Sequence, residues 1–124
     1  MLLQEDLTGE YIAAAIAVHR VLGPGLLESA YEACLCRELH ERKLNVVRRV
    51  VLLLSYKGTT GDCGYRLGMV VNELVIVELK CVADVTYLHK AQLLTYLRLS
   101  RRSVGLLLNF NVPLMKNGIT RMVL

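Results

Sequence analysis

Residues 61–81 read GDCGYRLGMVVNELVIVELKC. Two apolar, β-branched runs in this segment, Leu67 to Val71 and Leu74 to Val77, lie on either side of the polar pair Asn72-Glu73. Apolar runs that flank a short polar turn are typical of the two strands of a β-hairpin. The sequence therefore predicts a hairpin here, and the remaining elements are expected to pack around it.

The second run of this hairpin ends in two charged residues, Glu78 and Lys80. Residues two apart on a strand project from the same face, so the carboxylate and the ammonium are expected side by side. Buried charges are usually paired, which makes a structural ion pair at a sheet end one interpretation. A metal ligand beside a charge-stabilising lysine is the other, and these two residues alone leave both open.

The rest of the chain predicts two helices and a strand before the hairpin, and a helix with two strands after it. The expected elements are a helix capped by Asp6 or Thr8 and running to about Val21, a helix from about Leu26 to Arg42, a strand from Asn45 to Tyr56, the hairpin, a helix from about Tyr87 to Ser100, a strand from Val104 to Phe110 and a last strand from Ile119 to Leu124. A helix between strands implies a parallel crossover. We expect an α/β (α+β) fold in the order α-α-β-β-β-α-β-β, with a mixed sheet flanked by helices.

Length and composition set outer limits on the class of protein. The 124 residues suit one domain spanning residues 1–124, and the hydrophobic content is 54%. No apolar run approaches the roughly 18 residues that a membrane-spanning helix requires. The first residues also lack the basic-then-apolar order of a signal peptide. We therefore expect a cytoplasmic protein that does not enter a membrane.

The four cysteines, Cys34, Cys36, Cys63 and Cys81, show no C-x-x-C spacing. This pattern favours small core residues in a reducing compartment over a zinc site. The net charge is +4, and basic residues cluster in Arg42-Lys43, Arg48-Arg49 and residues 98–102. Such clusters allow a polyanionic partner, although a solvated face is the commoner reason for any one of them.

Several short motifs together resemble the GxxExxY protein family, which is placed in the PD-(D/E)XK nuclease superfamily. They are GLLESAY at residues 25–31, VHR at 18–20, GPG at 23–25, VELK at 77–80, HKAQLLTYL at 89–97 and NFNVPL at 109–114. The resemblance covers nearly the whole chain. It implies a restriction-endonuclease-like core and a metal-dependent nuclease that hydrolyses phosphodiester bonds of DNA or RNA with Mg²⁺ or Mn²⁺.

The resemblance also implies roles for individual residues. Glu78 matches the second acidic metal ligand, and the carbonyl of Leu79 matches a neighbouring ligand. Lys80 matches the lysine that orients the nucleophile or stabilises negative charge. Glu28 matches a helix acid that acts on the metal directly or through water. Gln92 and Tyr96 match a Q-x-x-x-Y pair that borders the site and contacts substrate phosphate, and His89 is a candidate to join them.

One position departs from the family pattern. The family carries an aspartate on the second strand in a Tyr-Arg-hydrophobic-Asp pattern, whereas this chain has Gly68 after Tyr65-Arg66-Leu67. A two-residue turn at Asn72-Glu73 would pair Leu67 with Glu78, and only a three-residue loop or a bulge would pair Gly68 with Glu78 and build a site. A bulge or a close backbone approach is the ordinary explanation of a strand glycine.

The loss of one hard anionic ligand predicts weak or absent metal binding, because Mg²⁺ is held by only one or two carboxylates plus substrate phosphate. Asp62 lies about 20 Å back along an extended strand and is not expected to replace the missing acid. The alternative is a non-catalytic nucleic-acid-binding or protein-interaction module on the same fold. Arg48, Arg49, Arg101 and Arg102 are candidates for contacting a nucleic-acid backbone. A homodimer is expected if a strand edge or helix face is left uncovered.

Overall fold

The computed structural model describes the backbone of residues 4–124 and the side chains of residues 8–124. The helices are α1 (Gln4–Leu22), α2 (Glu28–Glu41) and α3 (Tyr87–Ser100), with a 3-10 turn at Met115–Gly118. The strands are β1 (Val46–Tyr56), β2 (Thr59–Val71), β3 (Val75–Lys80), β4 (Val104–Asn109) and β5 (Ile119–Val123). The predicted order of helices and strands is confirmed, and the 3-10 turn was not predicted.

The five strands form one sheet in the order β1-β2-β3-β4-β5. Strands β3 and β4 pair in parallel, from Val75 opposite Val104 to Lys80 opposite Asn109, and every other neighbouring pair is antiparallel. Helix α3 makes the crossover between the two parallel strands, as the sequence predicted. The result is the mixed sheet with flanking helices expected of an α+β, restriction-endonuclease-like fold.

Two apolar clusters hold helices on the two faces of the sheet. One cluster joins α1 and α2 to residues such as Met69 and Val77. The other joins α3, through Leu93 and Leu97, to residues such as Ile76. Strand β3 is buried on both faces, which explains its unbroken run of apolar residues before Glu78.

The first hairpin is longer than predicted. The expected turn at residues 57–61 is a two-residue turn at Lys57 and Gly58, both with positive φ (48° and 82°), and β2 begins at Thr59. Two left-handed residues in a row suit the right-handed twist of a hairpin, so the strands continue to the turn. All of residues 53–64 are exposed, and we call this part of the hairpin the arm.

In β1 and β2 the regular alternation of side chains between the two faces of the sheet is interrupted at one pair of opposed residues. Leu67 packs in the α3 cluster, whereas Met69, two residues on, packs in the α1/α2 cluster. In β1 the neighbouring residue Arg49 has a φ of 54°. Arg49 lies between Arg48, opposite Met69, and Val50, opposite Leu67, so it lies opposite Gly68. The kink in both strands therefore coincides with the glycine that the sequence singled out.

Three expectations about helices and cysteines were wrong. Helix α1 begins at Gln4, so its predicted cap at Asp6 or Thr8 lies inside the helix. Cys34 is exposed and lines a groove between α1 and α2, because Cys36 completes the buried face of α2 instead. Cys63 is also exposed, since it belongs to the arm. No helix within residues 4–124 is long and apolar enough to cross a membrane.

Candidate functional site

The register between β2 and β3 brings Gly68 to Glu78. Val71 pairs with Val75 across a three-residue loop, and Met69 pairs with Val77, so the next position sets Gly68 opposite Glu78. Asn72 and Glu73 in the loop have φ values of 52° and 59°, which closes the loop with two left-handed residues. This is the register that the sequence analysis required for a site.

Both oxygens of the Glu78 carboxylate accept hydrogen bonds from β2. The backbone N–H of Gly68 donates to Oε1 at 3.1 Å, and the hydroxyl of Tyr65 donates to Oε2 at 3.0 Å. The ring of Tyr65 also stacks on Tyr96 of α3, with centroids 4.5 Å apart and ring planes inclined by 20°. Tyr65 is a site residue that the sequence analysis missed, because strand alternation alone sets it on the opposite face from Gly68.

Glu78 is an acid in a protected environment, since only 5% of it is exposed. Burial raises the pKa of its carboxyl, while the hydrogen bonds from Gly68 and Tyr65 and the charge of Lys80 oppose that rise. The nearby charge of Glu28 raises the same pKa. Burial, followed by the negative charge of Glu78, also raises the pKa of Tyr65. Two predicted site residues, Glu28 and Lys80, therefore act electrostatically on Glu78.

Lys80 ends β3 at the edge of the core. It is half-buried and lies opposite Asn109, and its carbonyl accepts a hydrogen bond of 3.0 Å from Phe110. The side chain of Asn109 bonds both backbone groups of Val82, which holds the chain leaving β3 against β4. Leu79 packs in the α1/α2 cluster between the two charged residues.

Tyr31 organises the chain that leads to Glu28. Its buried hydroxyl donates to the carbonyl of Gly23 and accepts from the N–H of Leu26 at 3.1 Å. Its ring stacks on Phe110 with centroids 4.6 Å apart. Glu28 is the exposed first residue of α2, where the positive end of the helix dipole favours a carboxylate. The conformation of the motif around Glu28 therefore depends on a contact with the end of β4.

The three predicted residues of α3 have different surroundings. Tyr96 stacks on Tyr65. Burial raises the pKa of Tyr96, a hydrogen bond with Tyr65 opposes that rise, and the nearby charge of Glu78 adds to it. Gln92 is half-buried one turn earlier on the helix. Nδ1 of His89 accepts a hydrogen bond of 3.0 Å from the N–H of Thr86. His89 therefore caps the first turn of α3.

The predicted nucleic-acid-binding arginines are divided over the sheet. Arg48 pairs with Glu32 at 3.2 Å, and Arg102 donates to the carbonyl of Glu73 at 3.2 Å. Arg101 is the left-handed residue that ends α3. These contacts place Arg101 and Arg102 near the β2-β3 loop, at the far end of β3 from Lys80. Arg49 is exposed and lies in the row that crosses the sheet through Gly68 to Glu78.

The side chains around Glu78 determine whether a divalent cation could bind there. Within residues 8–124, no group of three or more His, Cys, Asp or Glu side chains could hold a metal ion. Asp62 is engaged by Arg66 at 2.8 Å and lies on the arm opposite Leu53. A Cβ added at Gly68 would lie 3.8 and 3.9 Å from the two Glu78 oxygens. A side chain at this position would therefore lie beside the carboxylate, whereas glycine contributes only backbone atoms there.

The sequence matches the family model described as the PD-(D/E)XK nuclease superfamily over residues 5–122. No curated protein and no solved structure gives a significant match to this chain. The match covers α2, α3 and strands β1 to β4 in full, α1 and β5 except for one terminal residue each, and every candidate site residue named above. This chain belongs to the PD-(D/E)XK nuclease superfamily.

Proposed function

We propose that this chain is a degenerate metal-dependent nuclease of the GxxExxY family, in which hydrolysis of DNA or RNA phosphodiester bonds is weak or lost. Its site keeps Glu78, Lys80 and the helix acid Glu28, with Gln92 and Tyr96 on the neighbouring helix. Gly68 stands in place of the first acidic ligand. The observation that carries the proposal is the position of Gly68, whose N–H lies on the Glu78 carboxylate where a second acid would share a cation.

The charges around Glu78 support this interpretation. A buried carboxylate with a raised pKa beside a lysine is typical of a site and is costly as a structural feature. Mg²⁺ and Mn²⁺ would supply charge stabilisation for phosphodiester hydrolysis, and Glu78, Glu28 and the Leu79 carbonyl are the candidate donors. Without the first acid this set is incomplete, so Lys80 would contact substrate phosphate with little metal bound.

A second candidate function is nucleic-acid binding without catalysis, by a module on the same fold. One observation favours it: both oxygens of Glu78 are already satisfied by Gly68 and Tyr65, so the carboxylate has partners without a metal. In this case Arg49, together with Arg48, Arg101 and Arg102, would contact the phosphate backbone. The four free cysteines support a reducing compartment such as the cytoplasm for either function.

The deciding experiment compares the protein with Gly68→Asp and Gly68→Asn. Asparagine matches aspartate in size, so it controls for the Cβ that would lie 3.3 Å from the carbonyl of Val77. Mn²⁺ binding is measured by calorimetry, and cleavage of plasmid and of single-stranded oligonucleotides is measured with Mg²⁺ and Mn²⁺. We expect Gly68→Asp alone to gain metal affinity, on the order of tenfold or more, together with cleavage.

Adding Lys80→Ala to Gly68→Asp should remove the cleavage and leave Mn²⁺ bound, because the lysine acts on substrate and not on the metal. The nuclease assignment is wrong if Gly68→Asp neither binds Mn²⁺ nor cuts. Tight Mn²⁺ binding or efficient cleavage by the unsubstituted chain would show that another acid supplies the ligand. Binding of oligonucleotides without cleavage by all three proteins would support the second candidate.

A further inference from the structure

A cavity lies between the end of α1 and the segment that runs from β4 into the 3-10 turn. Its volume is about 420 Å³, which is within the range of small-molecule sites. None of the residues assigned to the candidate nuclease site lines it. The apolar part of its wall consists of Ile16, Pro24, Pro113, Leu114 and Met115. The cavity is therefore a second concave surface, which the proposed function does not use.

Two cations complete the wall of this cavity. Arg20 lines it from the last turn of α1, and Lys116 lines it from the 3-10 turn. Within residues 8–124 neither side chain has a hydrogen-bond or ion-pair partner, and the lining residues include no Asp or Glu. A basic residue in the last turn of a helix often complements the helix dipole, but this explains only Arg20. The cavity therefore carries uncompensated positive charge on two of its walls.

Hydrogen bonds and packing hold the walls of the cavity in place. The buried His19 donates from Nε2 to the carbonyl of Val112 at 2.8 Å, which joins α1 to the segment after β4. The N–H of Gly23 donates to the carbonyl of His19 at 2.7 Å, and the carbonyl of Gly23 accepts from the Tyr31 hydroxyl. Met115 is buried in the α1/α2 cluster and fixes the 3-10 turn. A ligand would thus enter a cavity that is already formed, which lowers the cost of binding.

Two cations beside an apolar wall suit an anion that also has an apolar part. The guanidinium of Arg20 can donate to two oxygens of one phosphate group, and the ammonium of Lys116 adds a compact charge. A phosphomonoester carries a charge of about −1.5 to −2 at pH 7, so it matches two cations better than a carboxylate does. The apolar residues would cover a ring or a short chain attached to the phosphate.

We propose that this cavity binds a small phosphomonoester, with the phosphate between Arg20 and Lys116 and its apolar group against Ile16 and Leu114. The proposal does not rest on the nuclease assignment, because the two sites share no lining residue. A free phosphomonoester and the phosphorylated end of a nucleic acid present the same chemistry. The experiment below separates these two sources.

An NMR titration of the isotope-labelled full chain with phenyl phosphate tests the proposal. We expect the amide signals of residues 16–24 and 112–117 to shift, while those of Gly68 and Glu78 stay in place. Phenyl phosphate should bind at least about tenfold more tightly than inorganic phosphate, because its ring is buried. It should also bind at least about tenfold more tightly than phenol, because its charge is paired with two cations.

A double substitution, Arg20→Gln with Lys116→Gln, should weaken the binding of phenyl phosphate at least about tenfold. Both side chains are exposed, so the fold should be retained. The matched control is Lys90→Gln with Arg98→Gln, which removes the same charge from exposed positions of α3, on the other face of the sheet. This control should bind phenyl phosphate as the unsubstituted chain does.

Adenosine monophosphate and a pair of oligonucleotides, with and without a terminal phosphate, identify the source of the ligand. Binding of adenosine monophosphate alone would support a free phosphomonoester, and a preference for the phosphorylated oligonucleotide would support a nucleic-acid end. Absence of signal shifts at the cavity, equal affinity for phenyl phosphate and inorganic phosphate, or equal weakening by the two double substitutions would each overturn the proposal. None of these results would alter the outcome of the Gly68→Asp experiment, so the two proposals fail separately.

Discussion

The N–H of Gly68 lies 3.1 Å from Oε1 of Glu78, and these two residues face each other across β2 and β3. The glycine thus contributes only its backbone to a carboxylate that the rest of the fold has buried. A backbone N–H stabilises the ionised carboxylate, whereas an aspartate at the same place would repel it unless a cation lay between them. This difference connects the identity of residue 68 to properties that can be measured without a substrate.

The stability of the protein should depend on pH through Glu78. Its folded pKa is raised above the ordinary value of 4.5, so the unfolded chain releases this proton first as the pH rises. The folded state then binds more protons than the unfolded state, and the free energy of unfolding falls between the ordinary pKa and the raised one. Urea denaturation from pH 4 to 7 should show that Glu78→Gln reduces this fall. Asp62→Asn, an exposed substitution on the arm, should leave it in place.

Tyr65→Phe should destabilise the protein by about 1 to 3 kcal/mol, because it removes a hydrogen bond to a buried carboxylate. The ring can still stack on Tyr96, so the loss is confined to the hydroxyl. The Glu78 pKa should rise further, as NMR titration of its carboxyl carbon would show. Tyr87→Phe is the control, since Tyr87 is 86% exposed at the start of α3. Equal effects of the two substitutions would refute a specific role for the Tyr65 hydroxyl.

Tyr31→Phe should loosen the chain before Glu28 and leave the core packed. The substitution removes the hydroxyl shared by Gly23 and Leu26 and keeps the stack on Phe110, at a cost of about 1 to 3 kcal/mol. Amide exchange at residues 23–27 should become faster, while α3 remains protected. Tyr87→Phe, in an exposed side chain, should change neither. Unchanged exchange at residues 23–27 in Tyr31→Phe would contradict the prediction.

Arg49→Gln should weaken binding of a single-stranded oligonucleotide and lower the salt dependence by about one phosphate contact. Arg49 lies opposite Gly68 on the neighbouring strand, and Gly68 in turn lies opposite Glu78. Among the described side chains, Arg49 also has no ion-pair partner, so its charge is free to contact a phosphate. Arg37→Gln is the matched control, because Arg37 pairs with Glu41 on the exposed side of α2. Fluorescence anisotropy at several salt concentrations measures both. Equal salt slopes in the two variants would remove Arg49 from the interface.

Local pattern was sufficient to predict the elements and their order. Helix α3 has the predicted bounds, Tyr87–Ser100, because Thr86 caps its start and apolar residues recur at helical spacing. The parallel crossover followed from a helix between two apolar strands. Glu78 and Lys80 were predicted at the end of β3 because a charge after an unbroken apolar run is costly in a buried strand. These features depend on periodicity and turn chemistry, which neighbouring residues determine.

The contacts of the site depend on residues far apart in the chain. A sequence is compatible with either hairpin register, and the three-residue loop that pairs Gly68 with Glu78 is selected by packing β2 between β1 and β3. The kink at Arg49 and Gly68 turns Tyr65 toward Glu78, whereas regular alternation along β2 would have set Tyr65 on the opposite face of the sheet from Gly68. The sequence alone thus determined the fold class, the order of its elements and the glycine at position 68 on the second strand. Tertiary structure decided which groups bond the Glu78 carboxylate, because only the packed sheet brings the atoms of Tyr65 and Gly68 within hydrogen-bonding distance.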